Sequence, residues 1–278
     1  MHSSRFLAAV LLFFLCFSCT KFKPIQALET AETIKSGDDE MNFNNQLASA
    51  LYAAQLPESL SASIMGIIGG NPAFILDLFE ILQVDPYLYV LVDKEHSLAK
   101  NYEPEDLTEL INSSYKVSRT GLLLRKTAVA SLEEMATAAR NEGFTLTASS
   151  AYRSYNYQVQ VYERNVKEMG QQEADRESAR PGHSQHQLGL VIDFGSITDA
   201  FARTSEGIWL SANASRFGWS LSYPEGYEDI TGYRWESWHY RYVGRELAEF
   251  IDNYFNGIQQ YALRFIHEFT RLSSEIKN

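Results

Sequence analysis

An α+β fold is predicted, with a small antiparallel sheet flanked by helices, an N-terminal helical extension and a long C-terminal helix. Three observations support it. Short runs rich in branched and aromatic residues occur at 86–92, 144–148 and 239–243. Apolar residues recur at helical spacing over 122–140 and from 245 to the end, and Pro and Gly punctuate 43–83.

Taken in order, Leu47, Leu51 and Ala54 precede a break at Pro57, then come Ile64, Ile67 and Ile68, and after Gly69-Gly70-Asn71-Pro72 a further apolar run to Leu82. Two or three short helices fit this spacing. The run 86–92, Pro-Tyr-Leu-Tyr-Val-Leu-Val, predicts the first strand of the main domain. Over 122–140, Ala128, Leu132, Met135 and Ala139 share one helical face, and Gly143 lies just beyond. A strand over 144–148 and a helix over 155–168 follow. Alternation over 239–243 places His239 and Arg241 on one face and Tyr240 and Tyr242 on the other. From Arg245 onward, Leu247, Phe250, Ile251, Tyr254, Phe255, Ile258, Tyr261, Ala262, Phe265 and Phe269 trace one apolar face, predicted to pack on 43–83 or on a partner.

A chain of 278 residues, 45% hydrophobic and 13% aromatic, can bury one sizeable core, or one core plus a small appendage. A formal net charge of -11 gives no electrostatic footprint for a phosphate backbone, so nucleic acid is not expected as a partner. Residues 1–19 read as an export signal: Arg5 supplies the positive start and 6–15 is apolar, too short to span a bilayer. Both cysteines, Cys16 and Cys19, close this run, so the mature chain has no disulfide. The pattern resembles a bacterial lipoprotein signal with Cys19 as the lipidated first residue, although Cys16 stands where an aliphatic residue is usual; the alternative is an ordinary secretory leader. Either reading places the mature protein outside the cytoplasm. The expected organisation is signal peptide 1–19, linker 20–42, helical extension 43–85, main domain 86–245 and C-terminal amphipathic helix 246–278.

The chemistry concentrates in two runs, Ser184-Gln-His186-Gln-Leu-Gly189-Leu-Val-Ile-Asp193 and Glu236-Ser-Trp-His239. Two imidazoles, a carboxylate, and a second carboxylate shortly before a histidine are the components of a catalytic zinc site, which keeps three protein ligands and leaves the fourth position to water. Seven residues of extended chain span roughly 23 Å, so His186 and Asp193 can share an ion only if the chain bends between them. Gly189 is the natural place for that bend. Beyond it, Leu190 and Ile192 are expected to face the core and Val191 and Asp193 the other side. Glu236, at a turn before the strand, can approach the ion's water without being a ligand, and a carboxylate so placed can take the water's proton and pass it to a leaving amine.

Ser150-Ala-Tyr-Arg153-Ser-Tyr-Asn-Tyr-Gln158, Arg180-Pro-Gly182 leading into Ser184-Gln-His186, Gly189 with Asp193, and Glu236-Ser-Trp-His239-Tyr-Arg-Tyr-Val-Gly244 resemble the VanY-type D-alanyl-D-alanine carboxypeptidases. These belong to a wider zinc-peptidase group that includes lysostaphin-type enzymes and the hedgehog signalling domain. The resemblance covers about residues 86–245 and implies a zinc cleft on the sheet. It implies that His186, Asp193 and His239 hold zinc, that Glu236 is the general base and later the acid, and that Arg153 steadies the oxyanion. Ser150, Gln158 and Ser184 match positions at the substrate's terminal D-residue, and peptidoglycan stem peptides are the implied substrate. Val191 stands where the family usually has alanine, a change expected to narrow the cleft floor.

Simpler readings compete at several positions. His96 and His267 read as surface or hydrogen-bonded histidines, and His183 as a loop histidine close to the site. Trp235, Trp238 and Tyr240 can fill the core, although aromatic groups near such a cleft can also stack on sugar rings. The motifs leave open an L,D-carboxypeptidase, a D,D-dipeptidase, an endopeptidase or a non-catalytic lipoprotein that binds cell wall. Intact Glu236 and Arg153 argue against the last, because a binding module needs neither a base nor an oxyanion donor.

Overall fold

A computed structural model describes residues 37–275, with side chains from residue 41. The expected signal peptide, Cys19 and most of the expected linker lie outside the described residues. Helix α1 (Gly37–Ala53) begins inside the stretch expected to be linker, so residues 37–42 are helical. Helices α2 (Glu58–Gly70) and α3 (Ala73–Ile81) follow, separated where Pro57 and the Gly-Gly-Asn-Pro run predict breaks. No single helix among the described residues is long and apolar enough to cross a membrane.

The strand expected over 86–92 does not form. Asp85 accepts from the Tyr87 N–H at 2.9 Å and Pro86 opens a single 3₁₀ turn, Pro86–Leu88. The carbonyls of Tyr87, Leu88 and Val90 accept from Arg241 Nη2 at 3.1, 3.1 and 3.0 Å, so a guanidinium takes the place of a neighbouring strand. Arg241 is fully buried, and burial lowers its pKa to about 10.

Strands β1 (Leu107–Glu109) and β3 (Leu123–Arg125) form an antiparallel ribbon. The helix expected over 122–140 therefore starts later, as α4 (Lys126–Asn141), but buries the predicted face, Ala128, Leu132, Met135 and Ala139. The main sheet has the order β2 (Lys116–Val117), β4 (Thr147–Ser150), β5 (Val191–Phe194), β7 (His239–Tyr242), β6 (Trp219–Leu221). All pairs are antiparallel except β2–β4 at the edge, which is parallel. Strand β4 lies slightly later than the predicted 144–148, while α5 (Tyr155–Met169) matches its expectation, with Ser154 accepting from the Tyr157 N–H as its N-cap. Short helices α6 (Gln171–Glu177), α7 (Ser205–Asn213) and α8 (Glu228–Thr231) fill the remaining connections.

The expected long C-terminal helix is two helices, α9 (Arg245–Tyr254) and α10 (Gln259–Glu275). Asn256 and Gly257 adopt φ of 55° and 73°, left-handed conformations that end α9 and turn the chain. Both helices pack on α1–α3, as the continuous apolar face predicted. Phe43, Leu47, Phe74, Phe79, Phe250, Phe255, Phe265 and Phe269 belong to this aromatic-rich core, distinct from the core of α4, α7 and the sheet. Helices α1–α3 thus close on α9 and α10 into a helical layer beside the sheet.

Candidate active site

Three adjacent strands present the site in one transverse row. Asp193 of β5 lies opposite His239 of β7 in register, and Ser150 of β4 lies opposite Asp193 across a bulge. His186 reaches the row from the 3₁₀ turn Gln185–Leu188, which ends at Gly189 in the left-handed region, φ 67°. A Cβ at Gly189 would also stand 2.9 Å from Leu107 Cδ2, so the bend predicted here requires glycine for conformation and for space. Leu190 and Ile192 join the sheet's core, as predicted. Val191 is buried opposite Arg241 and is absent from the cleft lining, so it does not narrow the floor.

His186, Asp193 and His239 are buried and bring one ligand atom each within 4.8 Å of the others. His186 Nε2 stands 3.2 Å from Asp193 Oδ2, and His239 Nδ1 stands 3.2 Å from both Asp193 Oδ1 and Glu236 Oε2. The carbonyl of Ala151 accepts from His186 Nδ1 at 2.7 Å, which fixes the tautomer that leaves Nε2 bare toward the cluster. Asp193 Oδ1 is buried and makes no well-formed hydrogen bond beyond its 3.2 Å contact with His239 Nδ1, leaving an under-satisfied acceptor, an orphaned oxygen at the centre of the donor set.

The electrostatics favour a cation. Burial and the Arg153 guanidinium lower His186 to about 4, keeping its lone pair free. Burial opposes charge on Asp193, yet His186, His239 and Arg153 outweigh it and hold the carboxyl well below its ordinary value. Burial likewise opposes charge on His239, but Asp193 and Glu236 raise it to about 9. Negative potential strong enough to keep a proton there is potential that also draws a metal cation. Two imidazoles and one carboxylate are a donor set suited to zinc, and the orphaned oxygen and fixed tautomer fit that ion. Burial raises Glu236, against the pull of His239, bringing it closer to the range of a working base.

Arg153 lies against this group. Its Nη2 donates to Asp193 Oδ2 at 2.7 Å and to Ser150 Oγ at 2.9 Å, and its Nε donates to Ser150 Oγ at 3.0 Å. Ser150, Arg153, Gln158, Ser184, His186, Asp193, Glu236 and His239 all line a single cleft of about 360 Å³. Every site residue named from sequence is therefore in one place. Gln158 donates through Nε2 to the Ala179 carbonyl at 2.7 Å, while its Oε1 is buried without a partner.

Tyr223 and Tyr233 were not legible as site residues. The Tyr223 ring lies 4.7 Å from that of His239 and 5.0 Å from that of Tyr233, and both tyrosines line the cleft. Nothing in Ser-Tyr-Pro or Gly-Tyr-Arg distinguishes them from turn residues. Trp238 packs in the sheet's core, as the simpler reading expects, and also lines the cleft. His183 donates through Nδ1 to the Asp93 carbonyl at 2.8 Å, outside the ligand cluster. His96 and His267 face each other with ring centroids 4.6 Å apart.

Sequence comparison agrees with this geometry. The VanY family profile, D-alanyl-D-alanine carboxypeptidase, matches residues 121–245. The protein YodJ of Bacillus subtilis (strain 168), whose name assigns it provisionally to the carboxypeptidases, is 37% identical over 185 residues, which cover 64% of this chain and 68% of YodJ. The LdcB LD-carboxypeptidase structure is 36% identical, with a TM-score of 0.56, covering 62% of this chain and 86% of that one. A vancomycin-resistance D,D-pentapeptidase, VanY, in complex with Zn(II), is 31% identical with a TM-score of 0.52, covering 62% of this chain and 96% of that one. The cleft is thus that of a peptidase fold, and the chain belongs to the VanY family of carboxypeptidases.

Proposed function

We propose that this chain is a zinc-dependent D-alanyl-D-alanine carboxypeptidase that removes the terminal D-Ala of peptidoglycan stem peptides outside the cytoplasmic membrane. The observation that carries the reading is the convergence of His186, Asp193 and His239 within 4.8 Å, with Glu236 Oε2 3.2 Å from His239 Nδ1, on the floor of one cleft.

In this reading His186, Asp193 and His239 hold the ion. When bound, zinc supplies Lewis acidity toward the scissile carbonyl and toward water. Glu236 takes the proton of the attacking water and returns it to the leaving amine, a task favoured by its raised pKa. Arg153, its fork fixed by Asp193 and Ser150, offers positive charge where the oxyanion develops. Ser150, Ser184 and the unpartnered Oε1 of Gln158 receive the terminal D-residue. Attachment through a lipid on Cys19 is part of the same proposal, tested by labelling with a radiolabelled fatty acid in the wild type and Cys19→Ala.

The likeness to LdcB, at 36% identity, favours a second reading, L,D-carboxypeptidase action on tetrapeptides. Incubation with pentapeptide, tetrapeptide and cross-linked muropeptides, followed by mass spectrometry, separates the two by the mass lost. Cleavage of the pentapeptide to the tetrapeptide supports the first reading. Absence of any cleavage by metal-loaded protein refutes both and favours a binding lipoprotein.

A further inference from the structure

Helix α5 forms one wall of the cleft, and its residues leave the floor in order. Gln158 and Val161 are buried, Arg164 and Met169 are exposed, and all four line the cleft. At a helical rise of about 1.5 Å per residue, Arg164 stands roughly 9 Å along this wall from Gln158. An extended peptide advances about 3.3 Å per residue, so a chain whose last residue lies on the floor brings the residue about three positions upstream beside Arg164.

Arg164 has no acidic partner within ion-pair distance among the described residues. Nor does Arg119, also on the cleft lining, whose Nη1 donates to the Ser149 carbonyl at 3.3 Å. The other cleft arginines have ion-pair partners, Arg153 in Asp193 at 2.7 Å and Arg234 in Asp199 at 2.8 Å. The cleft lining sets four arginines, Arg119, Arg153, Arg164 and Arg234, against the carboxylates Glu177, Asp193 and Glu236, so in a chain of net charge -11 the cleft is not acidic and two of its guanidinium groups are left without an ion-pair partner. Tyr157, Met169 and Ile197, left 44%, 38% and 49% exposed, line the same cleft. A cleft lined both by exposed apolar groups and by cations without ion-pair partners is a surface for an extended acidic ligand.

We propose that Arg164 and Arg119 form an anion subsite at the cleft mouth. It selects peptides that carry a free carboxylate about three residues upstream of the leaving residue over the same peptides with that group amidated. The inference rests on the carboxypeptidase reading for the direction of the substrate: the leaving part is one residue, so the long wall takes the acyl side. A guanidinium fork donates to both oxygens of a carboxylate, whereas a carboxamide carries no charge and presents its own donors. Exposed pairs are individually weak, so the two arginines together are expected to discriminate roughly fivefold to tenfold, less at high salt.

Binding is measured by calorimetry on the zinc-supplemented full chain carrying Glu236→Gln. The probes are a pentapeptide ending in D-Ala-D-Ala with γ-linked D-glutamate as its second residue, and the same peptide with that α-carboxylate amidated. The expected result is fivefold to tenfold tighter binding of the acid at low salt, falling to near equality when Arg164→Gln and Arg119→Gln are added. Both probes are read on one preparation, so a misfolded fraction cancels from the ratio. Equal affinities in the parent, no measurable binding of either probe, or a preference that survives both replacements overturns the subsite. So does a preference that emerges only when a disaccharide is joined to the peptide, which assigns the mouth to glycan. Cleavage of the acid peptide by the wild type is followed separately. Failure of the carboxypeptidase reading then shows as absent cleavage with the binding preference intact.

Discussion

The hydroxyl of Ser222 donates to Gln185 Oε1 at 2.7 Å, and both side chains are buried. Because the Ser222 N–H also donates to the His239 carbonyl at 3.2 Å, this one residue ties the turn carrying His186 to the strand carrying His239. Gln259 of α10 is buried beside it and donates through Nε2 to the Ser220 carbonyl at 3.2 Å, so the contact continues into the C-terminal helices. Ser222→Ala leaves the Gln185 oxygen buried without its donor. A stability loss of about 1–3 kcal/mol is expected in urea denaturation. Zinc affinity, measured against a competing chelator, is expected to fall about tenfold, as when groups that orient metal ligands are removed.

Zinc binding to the folded state alone stabilises by mass action, about 2.7 kcal/mol at a hundredfold excess over Kd. Thermal unfolding of the chelator-treated protein is expected to shift upward on adding zinc. His186→Ala should remove the shift along with the stoichiometric metal. An equal shift in that variant would place the metal elsewhere.

Glu236 and Arg153 should separate in kinetics. Glu236→Gln is expected to lower kcat by about 10²–10⁴ with metal content unchanged, the cost of losing general acid–base transfer. Arg153→Ala is expected to lower kcat by about 10²–10³. It also removes a partner of Asp193, whereas Glu236→Gln keeps a side chain of the same shape with an oxygen acceptor beside His239, so metal affinity should change more in Arg153→Ala. Metal content by mass spectrometry of the purified variants checks the distinction.

Asp93 makes a pH-dependent contribution outside the cleft. Burial opposes its charge, but N–H groups of Glu95 and His96 and the His96 imidazole outweigh burial and lower its pKa below the ordinary 3.8. Gln260 of α10 donates to its other oxygen at 2.7 Å. A depressed carboxylate stabilises the fold fully above its unfolded value, and the contribution is lost as pH falls through the folded one. The wild type should therefore lose stability as pH drops below about 4. Asp93→Asn should be less stable at pH 6 and lose less between pH 5 and pH 2.5, read from urea midpoints across that range.

Much of the site was legible because its chemistry depends on residue types at short spacing. His186, Gly189 and Asp193 lie on one turn and strand, and Glu236 with His239 on another, so each half is a local pattern. Arg241 shows where this fails. It reads as one more residue of an alternating strand, yet its guanidinium collects three carbonyls of 87–90 and abolishes the strand expected there. Strand propensity in that run lost to a partner some 150 residues away, which local patterning does not encode. The break at Asn256-Gly257 was locally encoded, since that dipeptide favours left-handed backbone, but the continuous apolar face masked it.

The sequence by itself determined the candidate metal ligands, the candidate base, the bend at Gly189 and the helical periodicity at both ends, because each follows from side-chain chemistry or short-range backbone preference. Only the tertiary structure decided that Arg153 rests on Asp193, that the Tyr223 ring packs tilted against His239, and that the described N- and C-terminal helices close on one another and brace the turn carrying His186 through Gln259 and Ser222. Those relationships join residues distant in the chain, and they are selected by burial and hydrogen-bond satisfaction across the whole fold.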